Sequence, residues 1–289
     1  MPDRRTFLQS GAIVASSLLS LGHSSSVRAE LSKESPVEAA PPAPHPILTP
    51  AESFRDVSRG NPKPHTLTGD ALVEARLTPE SWRLEVDVDP FTGETVKGPA
   101  SAERQFRLED NSAIDLPMLL KLGETCSVRY LKAMQCLNIP QPLGQGLWEG
   151  VPLREVLRLC GELHNVRRVY YSGYHNNDPD QLFQSSLSYS QVMEHAPGDP
   201  PVFLAYRLNG EPISLLRGGP VRLIVPWAYG FKSIKWLQRI SLTNDYRAND
   251  TYAAQNNDPD SPMKTAAYID RLPEKFTAGR MVFLTGQVI

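Results

Sequence analysis

Residues 217–240 constrain this chain more than any other stretch. Gly218, Gly219 and Pro220 open it as a turn. The β-branched run 221–225 follows and reads as a short strand. Pro226 ends it, because proline has no N–H to give a strand ladder. Small residues then mix with aromatics and cations through Trp227, Tyr229, Gly230, Phe231 and Lys232, and on through Lys235 and Trp236. Residues 237–243 read as a second strand. Glycine lets a backbone come close to a ligand, since no Cβ stands in the way. Lysine and arginine beside such a backbone suit a phosphate or another anion. The plain alternative is an edge strand followed by a loop of solvated cations.

The rest of the chain also alternates short elements. Residues 82–88 alternate apolar and charged side chains, the pattern of a half-buried strand. Residues 89–93 read as a turn. A short apolar helix is predicted over 116–122, stopped by Gly123. Residues 127–135 read as a strand leading directly to Cys136, and the Pro/Gly-rich 138–146 as a loop. Leu153, Val156, Leu157 and Cys160 share one face of a second helix, with Pro152 at its first position and Gly161 past its end. Residues 166–172 read as a strand. The dipeptide Asn209-Gly210 predicts a hairpin over 202–213. Short strands with few helices predict an α+β fold, not a doubly wound sheet.

The N-terminus reads as a targeting segment over 1–29. It has a twin-arginine pattern at Arg4 and Arg5, an apolar run over 11–21, and small residues at a cleavage site. Export to the periplasm by the twin-arginine pathway follows, and that pathway carries folded proteins, often with a cofactor in place. Residues 30–64 are rich in proline and read as an extended linker. Within it, the segment around Arg59 and Asn61 could lie over the domain surface or reach an anionic ligand. The folded domain is predicted over 65–275.

The 289 residues are 40% hydrophobic and 21% charged, as in an ordinary globular chain, and the net charge of −2 gives no footprint for nucleic acid. No phosphate loop, nucleophile elbow, zinc-protease motif or Cys-x-x-Cys-His occurs. The six histidines share no metal-ligand spacing. The three cysteines are an odd number, so at least one is not paired within the chain. Cys160 reads as a buried small hydrophobe. Cys136 sits where a strand meets a loop, a usual place for a residue shown to a ligand. Thiolate suits metals that prefer sulfur. A disulfide with Cys126 or a simple buried thiol is the competing reading.

Taken together, Met134-Gln135-Cys136-Leu137-Asn138, the stretch 146–157, Leu208-Asn209-Gly210, and the stretch 218–236 come in an order that resembles the sulfite oxidase family of molybdopterin enzymes. Within that family it looks similar to exported bacterial members, including the periplasmic methionine sulfoxide reductase catalytic subunit. The resemblance covers roughly residues 70–270. It implies a sulfite-oxidase-type fold of mixed sheets and a molybdenum-molybdopterin cofactor. It implies that Cys136 is the thiolate ligand of molybdenum. Arg222, Gly230, Phe231 and Lys232 match positions that hold the pterin and its phosphate, as do Ser172 and Gly173 more loosely. Arg217 stands where relatives often have histidine or asparagine. It is expected to contact an anion, either the cofactor phosphate or the substrate.

The departures from the family pattern bear on the substrate. Sulfite oxidases usually follow the cysteine with Ala-Gly-Asn-Arg-Arg, whereas this chain has Leu137-Asn138-Ile139-Pro140. The arginines that would meet sulfite are therefore missing. A pocket tyrosine is replaced near Phe183. Residues 276–289 resemble the first strand of a dimerisation domain carried by many relatives, which leaves the oligomeric state open. The expectation is an exported oxidoreductase that transfers an oxygen atom to or from a small, sulfur-containing molecule. An external cytochrome or membrane haem protein would exchange the electrons. An exported binding protein without an active metal, and a thiol-redox protein using Cys136, are the alternatives.

Overall fold

A computed structural model describes residues 47–89, 98–271, 279 and 285–288. The signal at 1–29, the first part of the linker and most of the turn at 89–93 lie outside the described residues. The strands in chain order are β1 (Arg83–Val88), β2 (Ser101–Ala102), β3 (Ile114–Asp115), β4 (Val128–Met134), β5 (Gly144–Pro152), β6 (Leu163–His164) and β7 (Arg168–Gly173). They continue as β8 (Gln184–Ser188), β9 (Phe203–Leu208), β10 (Glu211–Pro212), β11 (Arg222–Ile224), β12 (Leu237–Thr243), β13 (Ala267–Arg271) and β14 (Thr285–Val288). The longest helix among the described residues is Leu116–Cys126. The mixed, mainly antiparallel strands make the fold α+β, as the sequence predicts.

Two sheets carry the site. One runs in the order β3-β1-β12-β7-β8, with β1 and β12 parallel. The other runs β10-β9-β5-β4, with β11 added against β9. Both contribute to one core: Leu84 and Val86 come from β1, Val169 from β7 and Ile240 from β12, and they meet Val151 and Leu204 from the other sheet. Trp82, fully buried, ties the first sheet by donating its indole N–H to the Leu237 carbonyl at 2.7 Å. On the far face of the second sheet, Met134, Trp148, Phe203 and Ile224 form another core. Glu149, next to Trp148 on β5, bridges the strands on either side of it, accepting from Arg129 at 2.7 Å and from Arg207 at 2.9 Å.

Most predicted elements are present, and the differences have local causes. The predicted strand at 82–88, the helix face of Leu153, Val156 and Leu157, and the Asn209-Gly210 hairpin all appear, and Cys160, in the turn just past the helix, joins the same core. Both turn residues take the positive φ such a hairpin needs, 55° and 89°. The helix predicted over 116–122 runs on to Cys126 through Gly123. A Cβ at Gly123 would lie 2.6 Å from the Tyr206 hydroxyl, so this glycine permits close packing and does not stop the helix. Pro152 closes β5 and caps the following helix, one position earlier than expected. Strand β5 occupies part of the predicted loop. Its glycines hid it, and they are there because partner strands crowd in.

The linker boundary at 64 is corrected. From Thr49 onward the segment is bound to the domain: Thr49 N–H donates to the Gln145 carbonyl and Arg55 N–H to the Leu143 carbonyl. Phe54 is buried in the second core, edge-on to Trp148. Proline richness marks an extended backbone, but it does not say whether that backbone is docked. Of the predicted C-terminal strand, the described part is β14, which pairs with β13.

At Gly150 a Cβ would fall 1.9 Å from the Leu204 carbonyl oxygen on β9. That neighbour is backbone and cannot swing aside. Gly150→Ala is expected to cost roughly 3 kcal/mol, read as a lowered urea midpoint with an unchanged slope.

Candidate cofactor site

Strand β4 delivers the chain to Cys136, and the loop after β11 delivers Gly230. One contact joins them: the Gly230 N–H donates to the Gln135 carbonyl at 2.7 Å. A Cβ at 230 would lie 3.1 Å from that same oxygen, so glycine allows the approach. The two segments border one cavity of about 370 Å³, whose walls include Cys136, Gly173, Arg217, Arg222, Gly230 and Phe231. Six of the eight residues predicted for the site are thereby brought together.

The other two face elsewhere. Ser172 lies on β7, where side chains alternate between faces. Its neighbours Tyr171 and Gly173 point to the buried face, so Ser172 points to the other. Lys232 follows Phe231 in a short 3₁₀ turn, Gly230–Lys232, which rotates successive side chains by about 120°. With Phe231 on the cavity, Lys232 is driven into the protein. It is fully buried and donates to the Ser186 carbonyl at 2.9 Å and to Asp250 at 3.3 Å. The expectation that its ammonium holds a phosphate is corrected: it is spent on Asp250.

The structure also adds residues that the prediction left out. Arg59 and Gly60 line the cavity, whereas Asn61 is not on its wall and donates its backbone N–H to Gln181, which is. The Arg59 guanidinium lies over Phe183 at 4.6 Å and donates to the Tyr252 hydroxyl. Tyr252 stacks on Phe231 with centroids 4.0 Å apart. Lys235 also lines the cavity and donates to Ser58 at 2.6 Å, to the Leu216 carbonyl at 2.8 Å and to Asp56 at 3.3 Å. Lys235 was visible as one of the cations of the stretch 217–240. Tyr252 lies in a polar run with no pattern, and nothing local marks it.

Cys136 is free, and so is Cys126. Strand β4 lies between them, and its seven residues at ~3.4 Å each hold the two cysteines roughly 24 Å apart. A disulfide needs Cα atoms within about 7 Å. The predicted alternative of a Cys126–Cys136 pair is therefore excluded. Burial and the nearby Glu155 raise the Cys126 thiol, and burial pushes Cys160 up to about 11.

The electrostatics of the cavity are one-sided. Arg222 is 6% exposed and donates to the carbonyls of Arg217 and Ser233. Arg217 is 3% exposed and donates to the Phe54 carbonyl. In both guanidinium groups Nε has no hydrogen-bond partner. Behind them Lys132, 2% exposed, donates to the Ala228 carbonyl. Burial, then the neighbouring cations, pushes Arg222 down to about 9 and both Lys132 and Lys235 down to about 7. Asp56 is the carboxylate hydrogen-bonded to this group. Burial works to raise it, but hydrogen bonds from Ser58 and Lys63 and the charge of Lys235 hold it well below the usual range. Buried cations outnumbering their acids, around a cavity with a thiol on its wall, fit an anionic cofactor that carries a sulfur-preferring metal.

Two outcomes are expected. A lysine whose folded-state pKa lies below its unfolded value of about 10.4 weakens the fold while it is protonated. That penalty fades as pH rises above about 7. Cofactor-free protein should therefore gain stability from pH 7 to about 8.5, below the range where buried thiols and phenols reverse the trend. Inorganic phosphate should flatten the slope, and Lys132→Met should reduce it, both read by chemical denaturation. Separately, Asp250→Asn strands the Lys232 ammonium and should cost about 3–5 kcal/mol. Lys232→Met combined with Asp250→Leu should cost less, with the folded protein keeping wild-type cofactor loading.

Comparison with known proteins gives the family. Residues 72–251 match the model of the oxidoreductase molybdopterin binding domain. An inducible NADH nitrate reductase from Glycine max is 33% identical over 113 residues, which are 38% of this chain and 13% of that protein. Sulfite oxidase from Gallus gallus is 27% identical over 224 residues, 74% of this chain and 44% of that protein. The chain thus spans less than half the length of these relatives. The sulfane dehydrogenase SoxCD from Paracoccus pantotrophus shares the fold, with a TM-score of 0.50 and 17% identity over 82% of this chain and 64% of that one. The chain belongs to the oxidoreductase molybdopterin-binding family, among the sulfite oxidase-like enzymes that use molybdenum-molybdopterin.

Proposed function

We propose that this protein is an exported oxidoreductase that transfers an oxygen atom to or from a small, sulfur-containing substrate. An external cytochrome or membrane haem protein exchanges its electrons. The observation that carries the reading is the position of Cys136, on the wall of a cavity flanked by Arg217 and Arg222. The substrate class is drawn from the avian relative, a sulfite oxidase, and export from Arg4 and Arg5 at the N-terminus.

When bound, the cofactor supplies a metal that changes oxidation state by two electrons while exchanging an oxygen atom with substrate. The chain supplies everything around it. Cys136 holds the metal through its thiolate. Arg217, Arg222 and Lys235 hold the anionic end of the pterin, with Gly230 admitting it close to the backbone. Arg217 is too buried to meet a substrate from solvent, so its role is with the cofactor. Phe231 and Tyr252 exclude water from one wall. Arg59 is exposed at the cavity and keeps its guanidinium over the Phe183 ring, where it can orient a polar substrate.

The test is molybdenum per folded protein in the exported fraction. Wild type should be near-stoichiometric, and Cys136→Ser should fall to background. Arg4→Lys together with Arg5→Lys should leave the protein unexported. A folded, exported wild type without molybdenum would sink the enzyme reading in favour of a binding role. With loading established, sulfite and methyl sulfoxides should be assayed with artificial electron carriers.

A further inference from the structure

The turn after Cys136 is held from within. The Gln135 side-chain amide donates to the carbonyl of Cys136 at 2.9 Å and to that of Ile139 at 2.6 Å. Gln135 itself is 5% exposed, and its backbone carbonyl is fixed by Gly230. This bracing curls residues 136–139 so that Asn138 turns back on the cysteine. Cys136 Sγ and Asn138 Oδ1 are 2.9 Å apart. Both residues line the cavity. Among the described residues the Asn138 side chain has no other hydrogen bond. Asn138 stands where the usual sulfite oxidase pattern has glycine.

With a free thiol, the S–H donates to the amide oxygen. A ligand thiolate has no proton and can only accept. The two ends of an asparagine amide have nearly the same shape, and a half-turn about Cβ–Cγ exchanges oxygen for nitrogen. That turn places an N–H where the oxygen lies, at hydrogen-bond distance from the sulfur. Hydrogen bonds to a ligand sulfur draw charge from it and shift the potential of the metal it holds.

We propose that Asn138 tunes the molybdenum centre by donating a side-chain N–H to the Cys136 thiolate. The proposal rests on Cys136 being the thiolate ligand. Drawing charge from the sulfur favours the reduced metal, so Asn138 raises the midpoint potential. It also lowers the sulfur lone-pair energy, which moves the sulfur-to-molybdenum charge-transfer band to shorter wavelength. Asn138 is a tuning residue and takes no part in bond making.

The experiment compares holoenzyme of the wild type, Asn138→Ala, Asn138→Asp and Cys136→Ser by visible spectrum, redox titration and molybdenum content. Asn138 is exposed and belongs to no core, so both of its variants should fold and load normally. Loss of the donor in Asn138→Ala should move the band to longer wavelength and lower the midpoint. Asn138→Asp keeps the shape, lacks the N–H and adds a negative charge, so it should shift both further in the same direction. Bands and midpoints coinciding with wild type at equal loading would overturn the proposal, with Cys136 still the ligand. Reduced loading with an unshifted band in the loaded fraction would also overturn it, assigning Asn138 a structural role. A wild-type band that survives in Cys136→Ser would remove the thiolate reading, and this proposal with it.

Discussion

The hydrogen bond from Gly230 to the Gln135 carbonyl is where two distant parts of the chain become one site. On one side is a strand end that presents a thiol. On the other is a loop whose neighbouring strand presents a buried arginine. Both come from the second sheet, where β5 and β9 lie between β4 and β11 and bring segments far apart in sequence to one end. The approach is tight: a Cβ at 230 would lie 3.1 Å from the Gln135 carbonyl oxygen. The turn that carries Cys136 is braced by the side chain of the same residue whose carbonyl receives Gly230. Position and support of the cysteine therefore come from one short backbone segment.

The fold handles buried charge in two ways. Glu149 with Arg129 and Arg207, and Lys232 with Asp250, pair within the protein. These pairs link strands and loops, and for Lys232 with Asp250, buried on both sides, removing one partner leaves an expensive lone charge. Around the cavity the balance is different. Lys132, Arg217 and Arg222 meet backbone carbonyls, and only Lys235 has a carboxylate partner. An excess of buried positive charge is costly in a cofactor-free protein and is relieved by an anion. That imbalance separates a site from a structural network, and no single residue type reveals it.

Much of this was legible along the chain. Period-two alternation marked β1, and the Asn209-Gly210 turn marked its hairpin, since both depend on neighbours in sequence. Cys136 was legible because a strand gives way there to a Pro/Gly loop. Strand β5 was not, because its glycines answer to β9 and Phe54, which are remote in sequence. The docking of residues 47–66 was hidden for the same reason. Lys232 was misjudged because a list of cations cannot say which way a tight turn aims them. Tyr252 and Asp56 entered the site only through folding.

By itself, the sequence determined the element types, the hairpin, the cysteine at a strand end and the cation-rich loop, all set by local backbone preference and side-chain period. The tertiary structure alone decided which cations face the cavity and which are consumed inside the protein. It decided that Cys126 and Cys136 stay apart, and that the proline-rich segment forms a wall of the site. Those outcomes depend on side-chain direction and on packing between elements far apart in the chain, and no local pattern encodes either.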